Sequence, residues 1–152
     1  MRRKFKIEIR GEDYILGERT WIMGIVNVTP DSFSNGGLFF DKEKAVEQAL
    51  KLAGEGADII DIGGESTRPG SEPVPVEEEL RRVIPVIREL RKRSRVLISI
   101  DSYKSEVVKQ ALEEGADIVN DISAFRFDPK LISIVAEKNV PYIIMHMKGT
   151  PK

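Results

Sequence analysis

Five short apolar runs in this chain end in side chains able to bind a ligand. Asn27 closes 21–27, Asp61 and Glu65 border the end of 58–64, and Asp101 closes 96–101. Asn120 and Asp121 close 117–121, and His146 closes 142–146. Carboxylates and carboxamides offer planar hydrogen-bonding edges, so Asp101 with Asn120 suits a planar heterocycle carrying adjacent N–H donors. Arg68, within "GGESTRPGS" (63–71), supplies a planar cation for phosphate or carboxylate. Thr67 and the backbone near Gly63 and Gly64 add small donors. Asn27 is a neutral oxygen ligand of the kind that suits a Mg²⁺ retaining most of its waters. His146, the only histidine, serves as readily as a structural hydrogen-bonder as a catalyst. Any one of these groups alone reads as a helix cap or a satisfied loop amide. Five in succession, each at the end of an apolar run, favour a ligand site.

The bulk composition narrows the classes. A chain of 152 residues with 41% hydrophobic and 32% charged content suits one folded domain with a sizeable core. A net charge of -1 gives no global field to recruit nucleic acid or a membrane surface. The basic cluster at Arg88, Arg91, Lys92, Arg93 and Arg95 reads as a solvated helix end, where cations are favoured. With no cysteine, disulfides, thiolate catalysis and cysteine-rich zinc sites are excluded. The start "MRRKFKIEIRGE" alternates apolar and charged residues without the apolar core of a signal peptide. No run reaches the roughly 18 apolar residues of a membrane span, and a cytoplasmic protein is expected. Lys and Glu are plentiful and Asn plus Gln total six, a mild thermophile-like bias.

The five runs are rich in Ile and Val and nearly continuous, the pattern of strands buried on both faces in a parallel sheet. Helical spacing separates them. The stripes are Ala45, Ala49, Leu52 and Ala53 in 42–54, then Val76, Leu80, Val83, Ile87 and Leu90 in 76–92. Val107, Val108, Ala111 and Leu112 form the next in 104–114, and Leu131, Ile132, Val135 and Ala136 the last, opened by Asp128-Pro129. Pro85 inside the second helix predicts a kink or tightened turn. "EGADIIDIG" (55–63) repeats as "EGADIVNDI" (114–122), an offset of 59 residues, about two strand–helix units. Its Gly56 and Gly115 would end helices in the left-handed conformation. Runs 5–9 and 14–16 around "RGED" predict a small hairpin capping one end. Strand–helix alternation allows an open doubly wound sheet or a (β/α) barrel. Neither GxGxxG nor GxxxxGK[ST] follows the first run, which favours the barrel.

Five blocks in order, "GIVNVTPDSFSNGG", "DIGGESTRPGS", "SIDSYKSEV", "GADIVNDIS" and "PYIIMHMKGTP", resemble the dihydropteroate synthase family from about Trp21 onward. The resemblance implies a (β/α)8 TIM barrel of the pterin-binding kind. This chain would supply an N-terminal hairpin (1–20) and about five βα units (21–152), a partial barrel and the N-terminal portion of the pterin-binding domain. It implies a transferase of folate biosynthesis, a sulfonamide target. That enzyme joins p-aminobenzoate to 6-hydroxymethyl-7,8-dihydropterin diphosphate, releasing diphosphate, with electrostatic and positional catalysis and no nucleophilic side chain. Carried over by motif, Asn27 would hold Mg²⁺, Thr67 and Arg68 would face the diphosphate, and Asp101, Asn120 and Met145 would hold the pterin. Phe33, Ser66 and Pro69 would border p-aminobenzoate, within polar Gly/Pro-rich loops that open and close.

One departure stands against the family pattern. Its members continue through three more strands with a further Asp, a Lys and a late Arg and His, and "HMKGTPK" stops short of them. The expectation is an N-terminal piece of a synthase, inactive alone, with open sheet edges that drive self-association, a homodimer being one form of it, or partial disorder near the C-terminus. The alternatives are a methyltetrahydrofolate-binding methyltransferase-like pterin barrel, against which "TPDSFS" and "STRPG" argue, and a non-catalytic half-barrel binding module.

Overall fold

The computed structural model describes residues 3–29, 37–66, 72–146 and 148–149, with backbone alone for 37–40. Two strands, β1 (Phe5–Ile9) and β2 (Glu12–Leu16), form an antiparallel hairpin. The second strand starts two residues earlier than the sequence pattern predicts. Arg10 and Gly11 both take positive φ, 55° and 76°, so a two-residue turn closes the hairpin and Glu12 pairs directly with Ile9.

Beyond the hairpin, strands and helices alternate. They are β3 (Met23–Asn27), α1 (Gly37–Gly54), β4 (Ile59–Gly63), α2 (Val76–Arg93), β5 (Leu97–Asp101), α3 (Ser105–Glu113), β6 (Ile118–Asp121), α4 (Leu131–Lys138) and β7 (Tyr142–Ile144). All five of these strands are parallel, and their spatial order is their chain order. A doubly wound sheet reverses its strand order at a switch point. This sheet winds one way only, with α1, α2, α3 and α4 each against the next. It is therefore part of a (β/α)8 barrel wall, with five consecutive strands and the four helices between them.

Period-two alternation sorts each strand into two faces. Val26, Ile60, Ile62, Ile98, Ile100 and Val119 pack outward against the helices. On the inner face at the amino end, Ile59, Leu97 and Ile118 form a small apolar layer. The hairpin closes it: Ile9 is 2% exposed there, beside Tyr14 and Trp21. The expected capping hairpin thus plugs the amino end of the wall.

Several element expectations need correction. Helix α1 begins at Gly37, inside the polar, Gly-rich stretch whose composition predicts a loop. Asp128-Pro129 forms the turn before α4, with Asp128 accepting from the Lys130 N–H and from Ser105, the first residue of α3. On α4, Leu131 is buried and Ile134 and Val135 pack inward, whereas Ile132 is 52% exposed and Ala136 is exposed.

The repeat holds to atomic detail. Gly56 and Gly115 take φ of 106° and 110°. In each case the next residue reaches back five positions, Ala57 N–H to Leu52 at 3.0 Å and Ala116 N–H to Ala111 at 2.9 Å. Asn139, at φ 48°, ends α4 in the same way. These Schellman closures satisfy the last carbonyls and turn the chain straight into the next strand. No helix among the described residues is long and apolar enough to cross a membrane.

Candidate active site

Strand register brings the predicted residues to one line. Asn27 pairs with Gly63, Gly63 with Asp101, and Asp101 with Asn120. Those positions share the inner face at the carboxyl end, where barrel ligands bind. Gly63 is the gap in the row: a Cβ there would lie 3.3 Å from Asp101 Oδ2. Its missing side chain leaves room for that carboxylate.

Below the row lies a second polar layer. Asp61, two residues before Gly63, is 3% exposed and Ser99 is fully buried. The Ser99 hydroxyl donates to Asp61 Oδ1. Asn120 Nδ2 donates to both Asp61 oxygens, at 3.2 and 3.4 Å. Burial pushes the Asp61 carboxyl up from its ordinary range, and the Ser99 and Asn120 hydrogen bonds oppose that rise. Ser99 is absent from the residues that the strand-end pattern selects. It stands two residues before Asp101, on the same face by period two, and that spacing is the signal that could have found it.

Asp101 has the most perturbed carboxyl. Burial comes first and the negative charges of Asp61, Glu79, Asp121 and Glu65 follow, and together they raise it to about 7. Lys104 is the cation bonded into this group among the described residues, and its ammonium is held by Glu65 and Glu79. Burial would lower Lys104, and those two hydrogen bonds more than reverse it. Glu65 also accepts from the Tyr103 hydroxyl and the Val74 N–H, both at 2.9 Å. Burial would raise its carboxyl, and these donors with Lys104 bring it below the usual range. Glu65 therefore ties the end of β4 to the approach to α2, and Glu79, 1% exposed, holds the same Lys104 ammonium. Glu79, Tyr103 and Lys104 escape the sequence pattern, because pairings 25 to 39 residues apart leave no local signal.

Not every strand-end group faces the site. Asp121 is fully buried and belongs to its own loop. It accepts from the N–H and hydroxyl of Ser123, the N–H of Phe125 and the hydroxyl of Tyr142. These bonds hold Ala124 and Phe125 at positive φ, 51° and 65°. The ring of Phe125 stacks on Tyr142 with centroids 4.1 Å apart. Asp121 acts on Asp101 through its charge alone. Asn27 is exposed at the end of β3, and Ser66 follows the Gly64-Glu65 bend. Met145, 40% exposed, and His146 lie just past β7. Phe33, Thr67, Arg68 and Pro69 lie outside the described residues.

The basic cluster of α2 is not simply a solvated helix end. Arg91 is half-buried and donates to the carbonyls of Gly115, Ser94 and Val96 and to Asp117. Arg88 pairs with Glu114, and Arg93 with Glu89 and Glu43. These contacts stitch α2 to its neighbours.

This geometry agrees with what the chain resembles. A family model described as pterin binding enzyme matches residues 23–152. The dihydropteroate synthase of Synechocystis sp. is 51% identical over 136 residues, which are 90% of this chain and 47% of that protein. The solved Xanthomonas albilineans dihydropteroate synthase with 4-aminobenzoic acid superposes with a TM-score of 0.89 at 50% identity. That match covers 97% of this chain and 53% of the other. The same enzyme in complex with 7,8-dihydropteroate gives a TM-score of 0.77 at 50% identity, over 88% and 48% of the two chains. The chain spans about half the length of the curated relatives it matches. It belongs to the pterin-binding enzyme family, and the relatives named above are dihydropteroate synthases.

Proposed function

We propose that these residues form the pterin end of a dihydropteroate synthase site. The reaction joins p-aminobenzoate to 6-hydroxymethyl-7,8-dihydropterin diphosphate: the bond from the methylene carbon to the diphosphate oxygen breaks, and a bond to the amine nitrogen forms. The amine proton is lost and diphosphate is released. The observation that carries this reading is the row in which Asp101 and Asn120 stand in register above buried Asp61. Two adjacent acceptors at a strand-end rim complement the N–H edge of a pterin. Met145 would lie against the ring face.

Asn27 contributes one neutral oxygen at the other end of the row. Among the described residues no group of three or more His, Asp or Glu side chains could hold a metal. A Mg²⁺ here would take Asn27 and fill its remaining positions with water and diphosphate oxygens, a mode that fits this ion. When bound it would neutralise charge on the leaving group. Thr67 and Arg68 are proposed for the diphosphate, and Phe33, Ser66 and Pro69 for p-aminobenzoate. Catalysis on this reading is alignment plus electrostatics.

The test is calorimetric titration of the pterin diphosphate into the protein without p-aminobenzoate. Saturable binding that Asp101→Asn weakens by roughly tenfold to a hundredfold is expected, the worth of a hydrogen bond to a charged group. Binding untouched by that substitution would mean that the pterin sits elsewhere.

A further inference from the structure

The two copies of the repeat meet in one hydrogen-bonded pair. Asp61 and Asn120 occupy the same place in "EGADIIDIG" and "EGADIVNDI", 59 residues apart, and Asn120 Nδ2 reaches both Asp61 oxygens. The carboxamide thus turns its NH₂ group towards the two Asp61 oxygens and its own oxygen away. Ser99 fixes the carboxylate from the other side by donating its hydroxyl to Oδ1. We propose that Asp61 is a positioning residue that turns the Asn120 carboxamide so that its oxygen, not its nitrogen, faces the ligand. The orientation follows from the pair itself; only the ligand's identity rests on the pterin reading.

The consequence is specificity. With Oδ1 of Asn120 and the carboxylate of Asp101 in one row, the site presents acceptors and selects a ring edge made of N–H donors. A ring presenting acceptors there would leave buried groups unpaired, which discriminates strongly. The arrangement sets a second carboxylate near Asp101. The negative charge of Asp61 of β4, Glu79 of α2, Asp121 of β6 and Glu65 opposes ionisation of Asp101, with Lys104 bonded to two of them.

Exchanging the partners tests this directly. Asp61→Asn exchanges one of the two acceptor oxygens for an NH₂ donor, so the pair can form in either sense and the orientation of Asn120 is no longer fixed. It should weaken binding of 6-hydroxymethyl-7,8-dihydropterin diphosphate by roughly tenfold to a hundredfold and move the Asn120 side-chain amide signals in ¹H–¹⁵N spectra. The double exchange D61N/N120D restores a donor–acceptor pair in the opposite sense and again leaves an oxygen facing the ligand. It should recover most of the loss, a coupling visible in a double-mutant cycle. A carboxylate that merely supports the fold predicts additive losses instead. Ser99→Ala keeps both members of the pair and removes only the anchor, so it should perturb the Asn120 amide signals and cost a few-fold in affinity.

Wild-type affinity in Asp61→Asn, or additive losses in the exchange, would overturn the proposal. If Asp61→Asn does not fold, unchanged Asn120 amide signals in Ser99→Ala would overturn it. If the wild-type protein binds no pterin, the reading under Proposed function fails, and the amide spectra still decide whether Asp61 orients Asn120.

Discussion

The two ends of the parallel sheet carry the same residue type and treat it in opposite ways. At the amino end, Asp58 accepts the Ile22 N–H at 2.8 Å and pairs with Arg19. Its repeat equivalent, Asp117, accepts the Ile98 N–H at 2.8 Å and pairs with Arg91 at 2.6 Å. Arg10 Nε lies 3.2 Å from the other Asp117 oxygen, an ion pair without hydrogen-bond geometry. Each amino-end Asp thus has an arginine and a backbone donor, from the residue just before β3 for Asp58 and from β5 for Asp117. At the carboxyl end, Asp61, Asp101, Asp121, Glu65 and Glu79 crowd together with Lys104 as the cation bonded among them. The amino end satisfies its charges and holds the wall together. The carboxyl end keeps an excess of negative charge among its described residues, the state of a surface prepared for a ligand's donors and cations.

If that contrast is right, the largest stability loss comes from the amino end. Asp117→Ala removes the acceptor of the Ile98 N–H and leaves the half-buried Arg91 guanidinium without its carboxylate. Breaking a buried pair from one side costs about 3–5 kcal/mol, which urea denaturation would read directly. A loss below about 1 kcal/mol would mean that the Gly115, Ser94 and Val96 carbonyls hold Arg91 without help.

Asp101→Asn should act in the other direction on stability while damaging binding. The folded-state carboxyl of Asp101 lies at about 7, above its ordinary 3.8. Between those values the folded protein keeps a proton that the unfolded chain has released, so this group lowers stability as pH rises through that window. Above about 7 the loss is complete. Asp101→Asn removes it, and at pH 8 the variant should equal or exceed the wild type, by about 1.4 kcal/mol for every tenfold change in proton affinity that the substitution relieves. At pH 4 the two should differ little. The same titration sets binding: if the ionised carboxylate is the acceptor, wild-type pterin affinity rises with pH up to about 7 and then levels. A flat profile would place the ligand away from Asp101.

How much of this contrast is legible in the sequence depends on distance along the chain. The strand-end row is legible, because parallel strands buried on both faces read as continuous Ile/Val runs whose polar stops are conspicuous. Missing phosphate motifs favour the barrel; strand order, a long-range property, decides it. Asp58 and Asp61 look alike in "DIIDIGG", and only where the strand begins separates a clamp from a site residue. Asp121 is adjacent to Asn120, yet the loop captures it, because period two sends consecutive side chains to opposite faces. Arg91 reads as solvated because its partners come from the start of β5 and the turn before β6. The start of α1 is hidden because Gly36-Gly37 is a loop signal that the helix overrides.

The smallest effects should separate Gly56 from Gly115, which the repeat makes equivalent. Both take positive φ and both close a helix in the same way. A Cβ at Gly56 would meet nothing within 4 Å, whereas at Gly115 it would lie 2.9 Å from Arg91 Cγ and 3.2 Å from Nε. Gly56→Ala should therefore cost only the backbone strain of the left-handed region, about 1 kcal/mol. Gly115→Ala carries the same strain and also pushes aside the guanidinium that joins Gly115, Val96 and Asp117. Part of the amino-end clamp goes with it, so the loss should be roughly 2 kcal/mol, a value ordinary for a substitution that disturbs a buried network. Neither change touches the carboxyl-end row, so pterin affinity at saturating folded protein should stay within about twofold in both. Equal losses for the two alanines would show that Arg91 moves aside freely and that the clamp depends on Asp117 alone. A loss of affinity in Gly115→Ala without a matching loss in Gly56→Ala would show that the two ends of the sheet are coupled through β6, and the division of labour between them would have to be abandoned.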